Sequence, residues 1–476
     1  MHTMDTLSYK KYRLPDLPFA KKINAVIYSN AFPFLAFAFA LLGHFLRVEL
    51  AVYTLCAVLV VYISFFGKDY SPLLALVTFC YLMPGRYNNP GKHDGSIFYM
   101  QNGAWLFIVL AVILLISAAI RFSLDREIGF WRMLHTRRKL LSGMLLLSAA
   151  YLLAGAGSDG YAEYAKGNFV FALLQIVAIA ACYFLFSFSV KWEELDRRYF
   201  ICVGLLMGLL VGAELVGLFL TEPIFQNGEI LRDEIYVGWG ICNNMGLLIA
   251  MAIPFAFYFI YKGEHPLLYQ LIAILLCVLT YLTTSRGALV GAAIAYVSCV
   301  LIVLCRGETK RAKSSCAIIT SLLLCGGVVL LLIHPEILDV FFARGPSTRE
   351  RLYEYGMRVF AKSPIFGEGF FSLNRNATDF FIWEKVGDFS DTFPERWHNT
   401  LVQLFACCGM VGFLAYVYHR YQTLRLFLCR LNPEKAFIGI SLVVLLALSL
   451  IDCHFFNIGP VLVYSMALAV VEYKTK

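Results

Sequence analysis

The sequence predicts an all-α protein: a polytopic transmembrane helical bundle of about 12–14 spans with one long, partly helical outer loop. Composition carries the first half of that prediction. Of 476 residues, 60% are hydrophobic and 15% charged, against about 45–50% and about 25% in soluble domains. Patterning carries the second. The apolar residues gather into runs of roughly 17–25 residues, which is what a helix needs to cross a hydrocarbon core and is unlike the short strands of a barrel. Soluble, disordered, coiled-coil and collagen classes are excluded.

In order, the spans are expected near 25–45, 50–66, 71–84, 97–120, 140–157, 169–190, 200–220, 237–261, 266–283, 288–305, 315–333, 398–418, 436–452 and 456–472. Lysine and arginine collect in cytoplasmic loops. With the N-terminus inside, 26 of the 40 basic residues fall in cytoplasmic segments, including Lys10, Lys11, Lys21, Lys22, Arg126, Arg137, Arg306 and Lys310. Of the 14 outside, eight lie in one loop. Both termini are therefore expected in the cytoplasm, and the 284–287 turn and the 334–397 loop outside. Met1–Lys22 is polar and basic, and the first apolar run is long enough to remain as an anchor, so no cleavable signal peptide is expected. The net charge of +8 follows this sorting and does not imply nucleic acid. The 14 cysteines fall mostly inside spans, form no CxxC pair and have no metal-ligand spacing with histidine, so they read as small apolar packers.

Loop 334–397 is rich in aromatics (Tyr353, Phe370, Phe371, Phe380, Phe381, Trp383 and Trp397), which disordered tails lack. It is expected to fold at the membrane surface. Ser347-Thr348-Arg349-Glu350 reads as a capping box, and Leu352, Tyr355, Val359 and Phe360 follow at helical spacing, predicting an amphipathic helix over about 348–361. Ser363-Pro364 ends it, and Gly367-Glu368-Gly369 makes a tight turn.

Charged groups at the outer span ends carry the chemistry. Arg286, in Ser285-Arg286-Gly287, stands in a turn between two apolar helices with almost no loop to carry it into water. Such an arginine either binds a ligand or anchors to lipid headgroups. Arg349 opens the loop helix, where free backbone N–H groups also favour an anion; otherwise it is a solvated surface arginine. The loop holds 8 Lys/Arg against 10 Asp/Glu, so it is no general cationic funnel, and Arg344, Arg351, Arg358 and Arg396 can pair with neighbouring acids. His398, followed by Asn399, marks the return of the loop to the membrane; an imidazole can act as a general base at neutral pH or serve as a hydrogen-bonded anchor. Asp452, His454, Asn243 and Asn244 add polar groups on the same side. Two arginines and a histidine at one face suit transfer from a lipid diphosphate to a hydroxyl. Guanidinium groups neutralise the departing diphosphate, and the histidine takes the proton. The outer segments offer no DxD pair, Asp388-Phe389-Ser390-Asp391 having the wrong spacing, so the simpler expectation is a reaction with no metal and no cofactor.

These residues resemble the bacterial O-antigen ligase and O-antigen polymerase superfamily. Ser285-Arg286-Gly287 looks like its S-R-G turn. Ser347-Thr348-Arg349 with Pro364-Ile365-Phe366-Gly367-Glu368-Gly369 is similar to its S-x-R helix and P-x-x-G-x-G turn. His398-Asn399, then nine residues, then Gly409-Met410-Val411-Gly412 fits H-[NSQ]-x9-G-x-x-[GTY]. The resemblance covers roughly 237–415. It implies an enzyme of the outer face of the bacterial cytoplasmic membrane that moves a glycan from undecaprenyl diphosphate to an acceptor hydroxyl, by inversion and without metal. His398 would be the catalytic base, Arg286 and Arg349 the donor-diphosphate ligands, and Asp452, Asn399 and Ser285 possible support. The partners would be the undecaprenyl-diphosphate-linked donor, a glycan or lipid-linked acceptor and the bilayer. Residues 1–236 would form N-terminal spans and 237–476 the catalytic region. The signature is shared by ligases and polymerases and does not name the acceptor.

The alternative from another class is a transporter or flippase of lipid-linked glycans, which should show repeats and broken helices at the midplane. No repeat is visible, and the polar residues gather at one face. A non-catalytic scaffold would need no arginine held in a turn.

Overall fold

The computed structural model describes the chain apart from residues 1–12, 85–103, 126, 130–131, 134–137, 164, 196, 227–228, 335–348, 372–395, 430 and 474–476. Lys10, Lys11, Arg126, Arg137, Arg344, Ser347, Thr348, Asp388 and Asp391 lie outside the described residues, as do Phe380, Phe381 and Trp383. Each apolar run forms a helix, because a segment in hydrocarbon must satisfy its own backbone N–H and C=O groups. The protein is a multi-pass helical membrane protein. Sheet among the described residues is confined to two small hairpins, Phe225–Gln226 with Glu229–Ile230 and Tyr236–Val237 with Gly240–Ile241.

Among the described residues, seven helices are long and apolar enough to cross a membrane unaided. An eighth span results if Pro18–Ile27 and Phe32–Leu46, bent by 74°, count as one. Shorter apolar helices of 10–17 residues include Leu73–Leu82, Leu141–Leu152 and Ile458–Tyr473. At about 1.5 Å per residue these reach only roughly 15–26 Å across a core of about 30 Å. Local chemistry shortens them. Pro72 and Pro84 bracket the third apolar run, and the fifth ends at Leu152, where the chain turns so that Gly155 N–H donates to the Phe366 carbonyl (2.7 Å).

The helix Cys242–Lys262 is the centre of the bundle, buried along its length from Cys242 to Tyr261. A helix apolar on every side is stable only when neighbours surround it. Four of them do: Arg197–Thr221, Pro266–Leu282, Arg286–Arg306 and Pro433–Ser449. Gly204, Gly208 and Gly212 repeat every fourth residue along Arg197–Thr221, facing Phe255, Ala252 and Leu279 at distances where a methyl would not fit. Small residues at this spacing let membrane helices approach closely. The span expected from 237 begins instead at Cys242, because Tyr236–Ile241 pair as a hairpin. At the opposite extreme, Lys310–Ile333 is mostly unburied and lies at the edge.

Candidate functional site

One local device organises the site. The helix Thr400–Leu428 is interrupted at Gly409, whose backbone takes φ 62° and ψ −160°. The turn Pro364–Gly369 fills the break. Met410 and Val411 N–H donate to the Pro364 and Ile365 carbonyls (2.8 and 3.1 Å), while Glu368 and Gly369 N–H donate to the Ala406 and Cys407 carbonyls (2.8 and 3.0 Å). The turn thus replaces the hydrogen bonds that the interrupted helix gives up. Gly367, at φ 71°, brings its Cα against the Cys407 peptide, where a Cβ would stand 2.4 Å from the carbonyl carbon. The two glycine motifs of the sequence are therefore halves of a single joint.

That joint seats the helix Arg349–Lys362 on the first half of Thr400–Leu428. Leu352, Tyr355, Gly356 and Val359 form its buried face, as the helical spacing predicts. Trp397 is fully buried, with its ring centroid 6.0 Å from that of Tyr355. Arg349 is the first residue of the helix.

His398 precedes the helix with φ 47°, a left-handed conformation that costs a non-glycine residue about 1–3 kcal/mol and is held by its surroundings. Those surroundings are specific. Tyr353 Oη donates to the His398 carbonyl (2.9 Å). Asn399 caps the helix, its Oδ1 accepting from Leu401 and Val402 N–H (2.8 and 3.3 Å), while its Nδ2 donates to the Leu450 carbonyl (2.8 Å). His398 Nδ1 lies 3.1 Å from Asp452 Oδ1. An ionised carboxylate there accepts from a protonated Nδ1, so in the neutral imidazole the lone pair sits on Nε2.

Arg349 reaches the same strip of chain: its Nη1 donates to the Ile451 carbonyl (2.6 Å). Leu450 and Ile451 follow the helix Pro433–Ser449, where free carbonyls and the negative end of the dipole attract donors and cations. Asp452 comes next. Its Oδ1 accepts from Cys453 N–H (2.7 Å) and its Oδ2 from Asn243 Nδ2 (2.9 Å). Asn243 Oδ1 in turn accepts from Arg232 Nη2 (2.9 Å).

Ser285 caps the helix Arg286–Arg306, its Oγ accepting from Ala288 N–H (3.4 Å). Thr284, just before it, has φ 55°. This turn packs on the same helix end. A Cβ on Gly287 would stand 3.5 Å from Leu448 and 3.9 Å from Ile451, and one on Gly246 would stand 3.4 Å from Ser285. Arg286 is exposed. The structure therefore joins His398 to Asp452 directly and Arg349 to the adjacent Ile451, and it sets the Arg286 turn against that same residue.

Electrostatics keep this corner polarised. Burial alone would push the Asp452 carboxyl up, but His398, then His454 and Arg349, hold it well below the usual carboxylate range. Burial lowers the His454 imidazole despite the nearby Asp452.

Sequence reasoning did not single out Arg232 or the role of Asn243. Asn243 was visible only as a polar residue near a span end. Arg232 was one of six basic residues in the shorter loops expected on the outer side, with no motif around it. Asp452 was visible but unaligned, and its pairing with His398 over 54 residues has no local signal.

Residues 271–417 match the model of a protein family described as O-antigen ligase. No curated protein matches the chain.

Proposed function

The chain belongs to the O-antigen ligase superfamily through residues 271–417, and we propose on that premise that it transfers a glycan from undecaprenyl diphosphate to an acceptor hydroxyl. Membership makes it a glycosyltransferase-type enzyme of surface polysaccharide assembly that works on lipid-linked glycans in a membrane. The finer mechanism follows from the residues at the site. His398 Nε2 accepts the proton of the acceptor hydroxyl, whose oxygen attacks the anomeric carbon from the side opposite the diphosphate. The new C–O bond forms as the bond to the phosphate oxygen breaks, and its electron pair leaves on the diphosphate. The stereochemistry inverts. Arg286 and Arg349 meet the charge growing on the leaving group, so the reaction needs no metal. Asp452 stabilises the imidazolium, Asn399 holds the His398 backbone through Leu450, and Ser285 sets the Arg286 turn.

The supporting observation is the His398–Asp452 pair at 3.1 Å, with Arg349 anchored one residue away on Ile451. We place this site on the outer face of the bacterial cytoplasmic membrane, with both termini inside, because of the bias of basic residues in the loops. The catalytic region is assigned to 237–476, with Arg232 reaching in from the preceding loop, and 1–236 to the supporting spans.

The test is transfer by the purified full-length chain, reconstituted with lipid extract of the native cell as source of donor and acceptor. His398→Ala should abolish transfer while membrane insertion and thermal stability stay unchanged. Wild-type rates in His398→Ala would remove the mechanism. Surface-glycan analysis of a deletion strain separates the acceptors: unlinked full-length chains mark a lost ligase, and a single linked repeat unit marks a lost polymerase.

A further inference from the structure

We propose that Asn243 is the positioning residue of the catalytic pair, holding the Asp452 carboxylate in register with His398, and that Arg232 fixes the orientation of the Asn243 amide. The inference rests on His398 acting as the base. A carboxylate on a single χ2 bond can rotate, and rotation would withdraw the oxygen that faces the imidazole. Here both oxygens are occupied. Oδ1 takes His398 Nδ1 and Cys453 N–H, and Oδ2 takes the Asn243 amide at 2.9 Å.

An asparagine can do this only if its nitrogen faces the carboxylate, since the flipped amide would set oxygen against oxygen. Arg232 decides the question. Its Nη2 donates at 2.9 Å to Asn243 Oδ1, and a guanidinium has no acceptor that could satisfy the flipped nitrogen. The order Arg232–Asn243–Asp452–His398 therefore runs donor to acceptor in one direction up to the carboxylate, which then receives the histidine from the other side.

Both supports are rigid. Asn243 is buried and is the second residue of the most enclosed helix in the bundle. The Arg232 segment is pinned where Leu231 N–H donates to the Ile224 carbonyl (2.8 Å), Ile235 N–H to the Arg232 carbonyl (3.0 Å) and Cys242 N–H to the Ile235 carbonyl (2.9 Å). Asn243, placed on a helix, holds its geometry more tightly than a residue on a loop would, and these backbone hydrogen bonds fix the Arg232 turn. Asn243 and Arg232 act through Asp452 and need not touch the substrate.

The same reconstituted transfer assay tests this, with kcat and donor KM measured separately. Asn243→Ala should lower kcat by about ten- to a hundred-fold, the range for losing a hydrogen bond to a charged group, and leave donor KM unchanged. In an Asp452→Ala background the same substitution should cost nothing further, because its effect passes through the carboxylate. Arg232→Gln should show a smaller kcat loss that also vanishes in that background, and it carries the test if Asn243→Ala fails to insert. An undiminished kcat, a loss confined to KM, or full additivity with Asp452→Ala would overturn the proposal. Activity surviving in His398→Ala would instead overturn the reading beneath it, so the two failures are distinguishable.

Discussion

Gly409→Ala tests the joint on which the site is built. Alanine at φ 62°, ψ −160° occupies a region almost reserved for glycine, at a cost of about 1–3 kcal/mol. Its Cβ would stand 2.4 Å from the Ile365 carbonyl oxygen, 2.5 Å from its carbon and 2.6 Å from Gly367 N. All three are backbone atoms and cannot swing aside, so the Pro364–Gly369 turn has to back away. Losing the Met410–Pro364 and Val411–Ile365 hydrogen bonds adds about 0.5–1.5 kcal/mol each. The reduced freedom of the unfolded chain returns about 0.4–1 kcal/mol. The net cost is about 2–5 kcal/mol, concentrated where the loop meets the broken helix. Expected results are a lower Tm in detergent, faster amide exchange at 364–369 and 406–411, and a loss of transfer greater than ten-fold, because the Arg349–Lys362 helix loses its seat. Gly326→Ala is the control: nothing lies within 4 Å of a Cβ there, and alanine in a helix is neutral to mildly stabilising. Equal exchange and equal Tm in Gly409→Ala and wild type would refute the joint.

Two further predictions concern the polar cluster. Asp452→Asn removes the charge opposite His398 at 3.1 Å; kcat should fall by about 1.5–3 kcal/mol, roughly 10- to 150-fold, with donor KM preserved, and a change in KM alone would contradict the assignment. His454 has its folded pKa held below the ordinary value by burial. Its contribution to stability is therefore complete above about pH 6.5 and is lost as pH falls, because the unfolded chain takes up a proton that the folded one refuses, at about 1.4 kcal/mol per pH unit. Tm measured from pH 7.5 to 5.5 should drop less in His454→Gln than in wild type, and parallel curves would exclude the effect. Asp452, also depressed, acts only below about pH 4.

Much of the architecture was legible in the sequence because membrane insertion is a local property. Each apolar run meets the bilayer as a unit, so hydropathy places the apolar helices; it misjudges their ends and misses the 74° bend between Pro18–Ile27 and Phe32–Leu46. Pro72, Pro84 and the Tyr236–Ile241 hairpin shorten or delay helices that composition alone extends. The loop helix was equally legible, since Leu352, Tyr355 and Val359 fall on one face. Its expected Ser347 cap lies outside the described residues.

The sequence determined which residues could do chemistry: Arg286, Arg349 and His398 stand at span ends where hydrocarbon tolerates charge only for cause. Tertiary structure alone decided how Asp452 faces His398, that Asn243 and Arg232 stand behind it, and that Gly367 and Gly409 form one joint. Apart from Arg232 with Asn243, which lie 11 residues apart, those are contacts between segments separated by 42 to more than 200 residues. No local propensity encodes them. They depend on which helix ends the packing around Cys242–Lys262 brings side by side.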